Sequence, residues 1–335
     1  MKAAVLGTGS WGTALAQTLV DNGHEVMMYG VDSAEIDDIN NEHRNAKYFG
    51  DDVILPEQLR ATADAQKAVE GAELVLITVP TKFVSSALNS VKAYVGKGTI
   101  VVNASKGFDP ATNKRMSETI RAVLGDCGIR EVVSIIGPSH AEEVILRQLT
   151  VVCAVSLDAE AAKVVQHTFS NENLRVYVND DEIGAEYGVA MKNVIALASG
   201  MMSGQGIGDN GRAALVTRGI AEMIRYGVAK GGRKETYIGL TGIGDLVVTC
   251  FSVHSRNYQA GYQIGLDDSA ENFFRENTKT VEGVNACKVI YEDLAANYNF
   301  EMPIIKGVYD VLFNGAKPSQ TISQLMNRPL VEEGN

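Results

Sequence analysis

The stretch AAVLGTGSWGTALAQTLVDNGHEVMMYG, Ala3 to Gly30, constrains this chain more than any other. A run of small and branched apolar residues ends in Gly7, Gly9 and Gly12, spaced G-x-G-x-x-G, and a helical pattern begins directly behind them. Glycine at the first position permits a tight turn, at the second lets backbone approach a ligand, and at the third lets the helix pack closely. The helix aims the unpaired N–H groups of its first turn at the same spot, which suits a pyrophosphate. HEVMMYG supplies a second strand, and Asp32 lies 20 residues beyond Gly12, near where an acid accepts from a ribose hydroxyl. The predicted unit is strand, turn, helix and strand, with a dinucleotide on the turn.

The rhythm continues through ELVLITVP, TIVVNAS, VVSIIGPS, VVCAVS and LRVYV, several followed by helical stretches. It predicts an α/β chain with a Rossmann-like, doubly wound parallel sheet covered by helices on both faces. From Asp180 onward β-branched runs nearly vanish and long helical patterns take over, so a dinucleotide-binding domain over 1–180 and an all-helical domain over 181–335 are expected. A length of 335 residues allows two cores. The formal net charge of -11 argues against nucleic acid or an anionic membrane as the main partner. Cys127, Cys153, Cys250 and Cys287 are scattered, form no cluster with the five histidines, and read as reduced thiols of a cytoplasmic protein without a metal site. No run approaches a membrane span, and the tail VEEGN reads as a frayed end.

Ligands of doubly wound sheets lie at the carboxyl ends of the strands, so the loops there deserve separate reading. Lys106 in NASKGF is either a surface lysine or a contact for an anion or a carbonyl oxygen at a strand end. Ser139 in IIGPSHAEEV is a helix N-cap, a substrate contact, or both. In GVAMKNVIALASG, Lys192 has Gly188, Val189, Ile195, Ala196 and Ser199 on its helical face, none of them charged. Its long stem either carries the ammonium to water or holds it buried for a purpose, since an unpaired buried charge costs several kcal/mol. Asp245 in GLTGIGDL is turn chemistry or the charge opposite a cation. Ser255, Arg256 and Asn257 in SVHSRNYQ form a capped, solvated turn or a phosphate site.

GTGSWGTALA, SKGF, GPSHAEEV, MKNVIALASG, GIGDNGRAALVTRGIAEMIR, GLTGIGDLVVTC, SRN and VEG together resemble the NAD(P)-dependent glycerol-3-phosphate dehydrogenases of bacterial type, over nearly the whole chain. The resemblance implies hydride transfer between NAD(P)H and dihydroxyacetone phosphate, giving sn-glycerol 3-phosphate for phospholipid synthesis. It implies Lys192 as catalytic acid/base, oriented by Asn193 and Asp245, with a pKa drawn toward neutrality by its apolar neighbours and Lys106. It further implies Lys106, Gly137, Ser139, Asp245, Ser255, Arg256 and Asn257 as substrate contacts. Ser10, Trp11, Val31, Lys106, Ala141, Arg256, Thr280 and Glu282 match the cofactor side, beside Gly7, Gly9 and Gly12. Thr280 and Val31 depart from the family's usual residues. With Val31 in place of a cation and with Asp32 and Glu35 nearby, NAD is favoured over NADP, unless Arg44 or Lys47 folds back to supply a charge. A β-hydroxyacid or 6-phosphogluconate type dehydrogenase would place an asparagine four residues after the lysine, where this chain has Ala196. A protein that senses NAD(P) without turnover would not need the lysine. The oligomeric state stays open, a homodimer included.

Overall fold

The apolar runs become β1 (Lys2–Leu6), β2 (Glu25–Tyr29), β4 (Leu74–Ile77), β5 (Ile100–Asn103), β6 (Glu131–Ile136), β7 (Thr150–Val155) and β8 (Leu174–Asn179), with β3 (Arg60–Thr62) added at one edge. These come from a computed structural model that describes residues 1–278, 280–330 and 332; the tail expected to fray lies outside the described residues except for Glu332. The strands form one sheet in the order β3-β2-β1-β4-β5-β6-β7-β8. Every neighbouring pair is parallel except β6 and β7, where Ile135 faces Ala154 in an antiparallel register. The parallel sheet expected from the sequence is present, with this one pair as its exception. The segment 137–149 holds only the one-turn helix Ala141–Val144 and reverses the chain instead of crossing over the sheet.

β4 and β5 are buried at every position, as strands covered on both faces must be. Helices Ser10–Asp21 and Ala159–Phe169 cover one face with Leu15, Leu19, Val165 and Phe169. Thr81–Val91 and Met116–Leu124 cover the other with Val84, Leu88, Ile120 and Leu124. Each fully buried side chain of this size contributes roughly 1.5–3 kcal/mol over its exposed state. Strand order reverses between β1 and β4, and the crevice this opens lies directly at Gly7.

Strand gives way to helix between Asn179 and Glu182. The helix Glu182–Gly204 is buried almost all round and forms the axis of the second core. Its partner Arg256–Asp267 crosses it at glycines. A Cβ on Gly200 would stand 2.1 Å from the Tyr258 carbonyl oxygen, and one on Gly261 would stand 2.1 Å from that of Leu197. Gly204 and Gly265 repeat the arrangement one turn on. The two backbones thus approach more closely than any residue with a side chain would allow.

The sheet domain grips this axis through charges and apolar contacts. Arg115 bonds Glu182 at 3.1 Å and Glu186 at 2.9 Å, and Arg121 bonds Glu182 at 2.6 Å. Ile136, Cys153 and Val155 pack with Ala185 and Val189. Among the described residues no single helix is long and apolar enough to cross a membrane.

Candidate active site

The glycine-rich turn has the geometry its residues call for. Gly7 sits at φ +117°, a region closed to most side chains, and its amide bonds the Tyr29 carbonyl at 2.9 Å. A Cβ on Gly12 would lie 2.3 Å from the Gly7 oxygen, so only glycine lets the helix start there. Above Gly9 the space is open: an added Cβ would meet only the Tyr48 hydroxyl, at 4.0 Å. Ser10 and Trp11 open the helix Ser10–Asp21, and Trp11 Nε1 is buried without a hydrogen-bond partner. An open cradle beside free first-turn N–H groups and an orphaned donor fits a dinucleotide.

At the far end of that cradle Val31 is 89% exposed. Asp32 does not stand free for a ribose: one oxygen caps the helix Ser33–Asp37 at the Ala34 amide, and the other receives Lys47 at 3.0 Å. Lys47 also bonds the buried Glu35 at 2.6 Å, and Thr8 and Tyr48 donate to Glu35 as well. Lys47 has therefore folded back, whereas Arg44 is engaged by Asp38, Glu42 and Asp51.

Lys192 is 4% exposed, so its ammonium does not reach water. It donates to Asp245 Oδ1 at 2.5 Å and to Thr249 Oγ1 at 2.9 Å. Burial is the main influence on its pKa and brings it down to about 8; Asp245 opposes this and Lys106 reinforces it. Asp245 and Thr249 lie one turn apart on the short helix Asp245–Phe251, which explains how both reach one nitrogen. Asn193 was expected to help orient Lys192. The second hydrogen bond to its ammonium comes from Thr249, a residue the sequence reading did not single out. The i, i+4 spacing of Asp245 and Thr249 was the sequence signal for the missed residue.

Lys106 links the two halves of the site. Its Nζ is 3.7 Å from Asp245 Oδ2 and 5.9 Å from the centre of the Trp11 ring. Asp245 Oδ2 is buried and has no hydrogen-bond partner. Such an acceptor is costly unless something donates to it. Gly137, at φ +156°, packs its backbone against Val152, and Ser139 donates back to the Gly137 carbonyl at 3.0 Å. Ala141 opens the helix Ala141–Val144. His140 between them escaped the sequence reading. It is half-buried, its ring 5.8 Å from that of His254, and its pKa is lowered by burial, Lys106 and Lys192.

The Ser-Arg-Asn group stands at a helix start, as its sequence suggested. Ser255 caps Arg256–Asp267 by accepting from the Tyr258 amide at 3.2 Å. Arg256 is exposed at the mouth of a cavity of about 340 Å³ that Gln259, Gln263 and Phe273 also line. Asn257 accepts from the Gly283 amide at 2.9 Å, tying this helix to Glu282–Asn297. Glu282 bonds Thr81 through both carboxylate oxygens, closing a contact between the sheet domain and the helical region, and burial raises its pKa. Thr280 is half-buried just ahead of it.

Residues 2–162 match the family model of the NAD-dependent glycerol-3-phosphate dehydrogenase N-terminus, and residues 181–323 match that of its C-terminus. The chain is 46% identical to a glycerol-3-phosphate dehydrogenase [NAD(P)+] of Bacillus anthracis over 98% of its length and 96% of that protein. It is 44% identical to the Listeria monocytogenes protein of the same name, with the same coverage. A crystal structure of glycerol-3-phosphate dehydrogenase from Coxiella burnetii superposes with a TM-score of 0.88 at 32% identity, covering 98% of this chain and 99% of that one. On sequence and fold alike, this chain belongs to the family of NAD-dependent glycerol-3-phosphate dehydrogenases.

Proposed function

We propose that this cleft interconverts dihydroxyacetone phosphate and sn-glycerol 3-phosphate with NAD(P)H, and that Lys192 is its acid/base. The observation that carries the reading is the charge chain from the dinucleotide turn through Lys106 to Asp245 and Lys192. When bound, the reduced nicotinamide supplies the hydride that reaches C2 of the ketone. Lys192 gives a proton to the ketone oxygen as negative charge builds there, and takes one back in the reverse direction. A pKa of about 8 lets it remain mostly protonated near neutrality yet release its proton more readily than a solvated lysine. Lys106 lends positive charge to the developing alkoxide, and the unpartnered Asp245 Oδ2 accepts from a substrate hydroxyl.

Arg256, the first-turn amides behind Ser255, and Asn257 receive the phosphate, while Gly137 and Ser139 close the opposite wall. Gly7, Gly9, Ser10, Trp11 and Gly12 hold the pyrophosphate side of the cofactor, with Ala141, Thr280, Glu282 and Arg256 at its other flank. Val31 with Asp32, Glu35 and Lys47 gives the adenosine end two carboxylates against one ammonium, which favours NAD over a cofactor with an added phosphate. Four cysteines without a disulfide support a cytoplasmic setting.

The experiment that tests the assignment is Lys192→Met. Methionine suits the apolar helix, so the protein folds and binds cofactor as before. Turnover falls by about 10²-fold to 10⁴-fold or more, the loss that goes with a missing general acid. Turnover near the wild-type level in a folded Lys192→Met protein would remove Lys192 from the mechanism. For the cofactor, kcat/KM for NADH exceeds that for NADPH in the wild type, and Val31→Arg narrows the gap. A wild type that strongly prefers NADPH, with nothing gained from the arginine, contradicts the preference.

A further inference from the structure

The loop after β5 leaves its own domain. Lys106 meets Asp245, as described, and two residues later Phe108 is 2% exposed within the core of the helical region, not in either core of the sheet domain. Its ring packs 5.6 Å from that of Tyr187, and its carbonyl accepts from Asn285 Nδ2 at 3.4 Å. Gly107 between the two residues takes φ +134°, so the chain turns sharply from one contact to the other. Phe108 also bridges Arg115 in antiparallel fashion, and Arg115 is bound to Glu182 and Glu186 on the Lys192 helix. The loop is fastened on both sides of Lys106: upstream the Ser105 hydroxyl donates to the Val79 carbonyl at 2.6 Å, and downstream stands the aromatic plug.

We propose that Phe108 is a positioning residue whose ring, seated in the helical core, fixes where Lys106 stands relative to Asp245 and Lys192. Lys106 itself has little else to hold it. It is partly exposed, and its ion pair with Asp245 spans 3.7 Å, longer than a hydrogen bond. A charge so weakly tethered goes where its backbone puts it. The backbone is placed by Phe108 because burying a ring of this size outweighs a single partly solvated ion pair.

The inference rests on Lys192 as acid/base, and gives that reading a sharper consequence. The groups that act on Lys192 are Asp245 and Cys250 from one helix and Lys106 from this loop, while His140, from the loop after β6, has its own pKa lowered by Lys192. Lys106 makes the Lys192 ammonium easier to deprotonate. Withdrawing it, and admitting water behind it, makes deprotonation harder. In the reducing direction the active form carries the proton, so activity that fails as pH rises then fails at a higher pH.

The test compares Phe108→Ala, Phe108→Leu, Lys106→Met and the Phe108→Ala/Lys106→Met pair, reading kcat and KM against pH. Phe108→Ala lowers kcat/KM by about 10- to 100-fold, as a misplacement on the order of 1 Å does. It also moves the alkaline limb of the reduction profile up by about one pH unit. Phe108→Leu keeps an apolar plug and restores most of both. In the Lys106→Met background Phe108→Ala changes little more, because the group it positioned is gone. If Phe108→Ala does not fold, Phe108→Val against Phe108→Leu gives the same graded comparison. A lower Tm with an unmoved pH limb, or losses that simply add to those of Lys106→Met, overturns the proposal. Turnover surviving in Lys192→Met refutes the acid/base assignment instead, and leaves the coupling between Phe108 and Lys106 to be judged by the double variant.

Discussion

Asp245 is asked to do two things, one with each oxygen. Oδ1 anchors Lys192 and Oδ2 faces Lys106. Of the influences on Lys192, Asp245 is the largest that holds the proton on, against burial and Lys106. Asp245→Asn removes that support, so the Lys192 pKa falls below about 8 and reduction loses activity at lower pH than in the wild type. An alkaline limb that stays in place or rises in Asp245→Asn would show that Asp245 is not the counter-charge. Arg256→Ala is expected to raise KM for dihydroxyacetone phosphate by 10-fold or more while leaving unphosphorylated dihydroxyacetone almost unaffected. Equal losses on both ketones would place the phosphate elsewhere. At this scale the sequence was most legible where chemistry is local. A lysine without charged helical neighbours declared itself in MKNVIALASG, whereas its partners, 53 and 57 positions away, could be suspected only from a lone Asp and a Thr one helical turn later.

The elements that carry these residues are set by glycines that the sequence shows without explaining. Gly200 and Gly204 face Gly261 and Gly265, and this seam fixes the height of the helix start where Ser255, Arg256 and Asn257 stand. Gly261→Ala would drive a methyl group to 2.1 Å from the Leu197 carbonyl oxygen, with backbone on both sides and no flexible side chain to yield. The helices must part, at a cost of about 1–3 kcal/mol and a shift of the phosphate-reading end. The expected result is a lower Tm together with a higher KM for the phosphorylated ketone. Gly125→Ala, with nothing within 4 Å of the added carbon and a right-handed helical backbone at φ -54° and ψ -38°, serves as control and leaves stability unchanged or slightly raised. A Gly261→Ala protein with the Tm and KM of the control would mean that the seam tolerates separation. The same scale explains the misses in the fold. β3 spans only Arg60–Thr62, too short for a two-residue period to register, and a buried strand such as β7 reads the same whichever way it runs. Its direction is decided by the reversing segment 137–149, not by its own residues.

For the molecule as a whole, two cores are joined by buried carboxylates, and these link stability to pH with opposite signs. Arg121 and the Ser117 hydroxyl help hold Glu182 below the usual carboxylate range against the cost of burial, so its contribution is lost as pH falls. Glu186 and Glu222 lie the other way, each pushed up to about 7 chiefly by burial. Glu222, on the helix Asp209–Ala229, receives the Ile304 and Ile305 amides at 2.8 and 3.1 Å and so caps the helix Pro303–Phe313 inside the core. A carboxyl group that titrates near 4.5 when unfolded and near 7 when folded holds its proton more tightly in the folded chain. Its contribution is complete below about pH 4.5, declines as pH rises, and is spent once pH passes 7. Glu222→Gln loses an acceptor at every pH, which lowers stability by a constant amount, but it has no proton to exchange. The stability gap between wild type and Glu222→Gln should therefore narrow by about 2.5 kcal/mol from pH 5 to pH 8. Denaturant unfolding of both proteins across that range is the measurement. Lines that run parallel would mean that Glu222 stays ionised in its cap, held there by the two amides against the cost of burial.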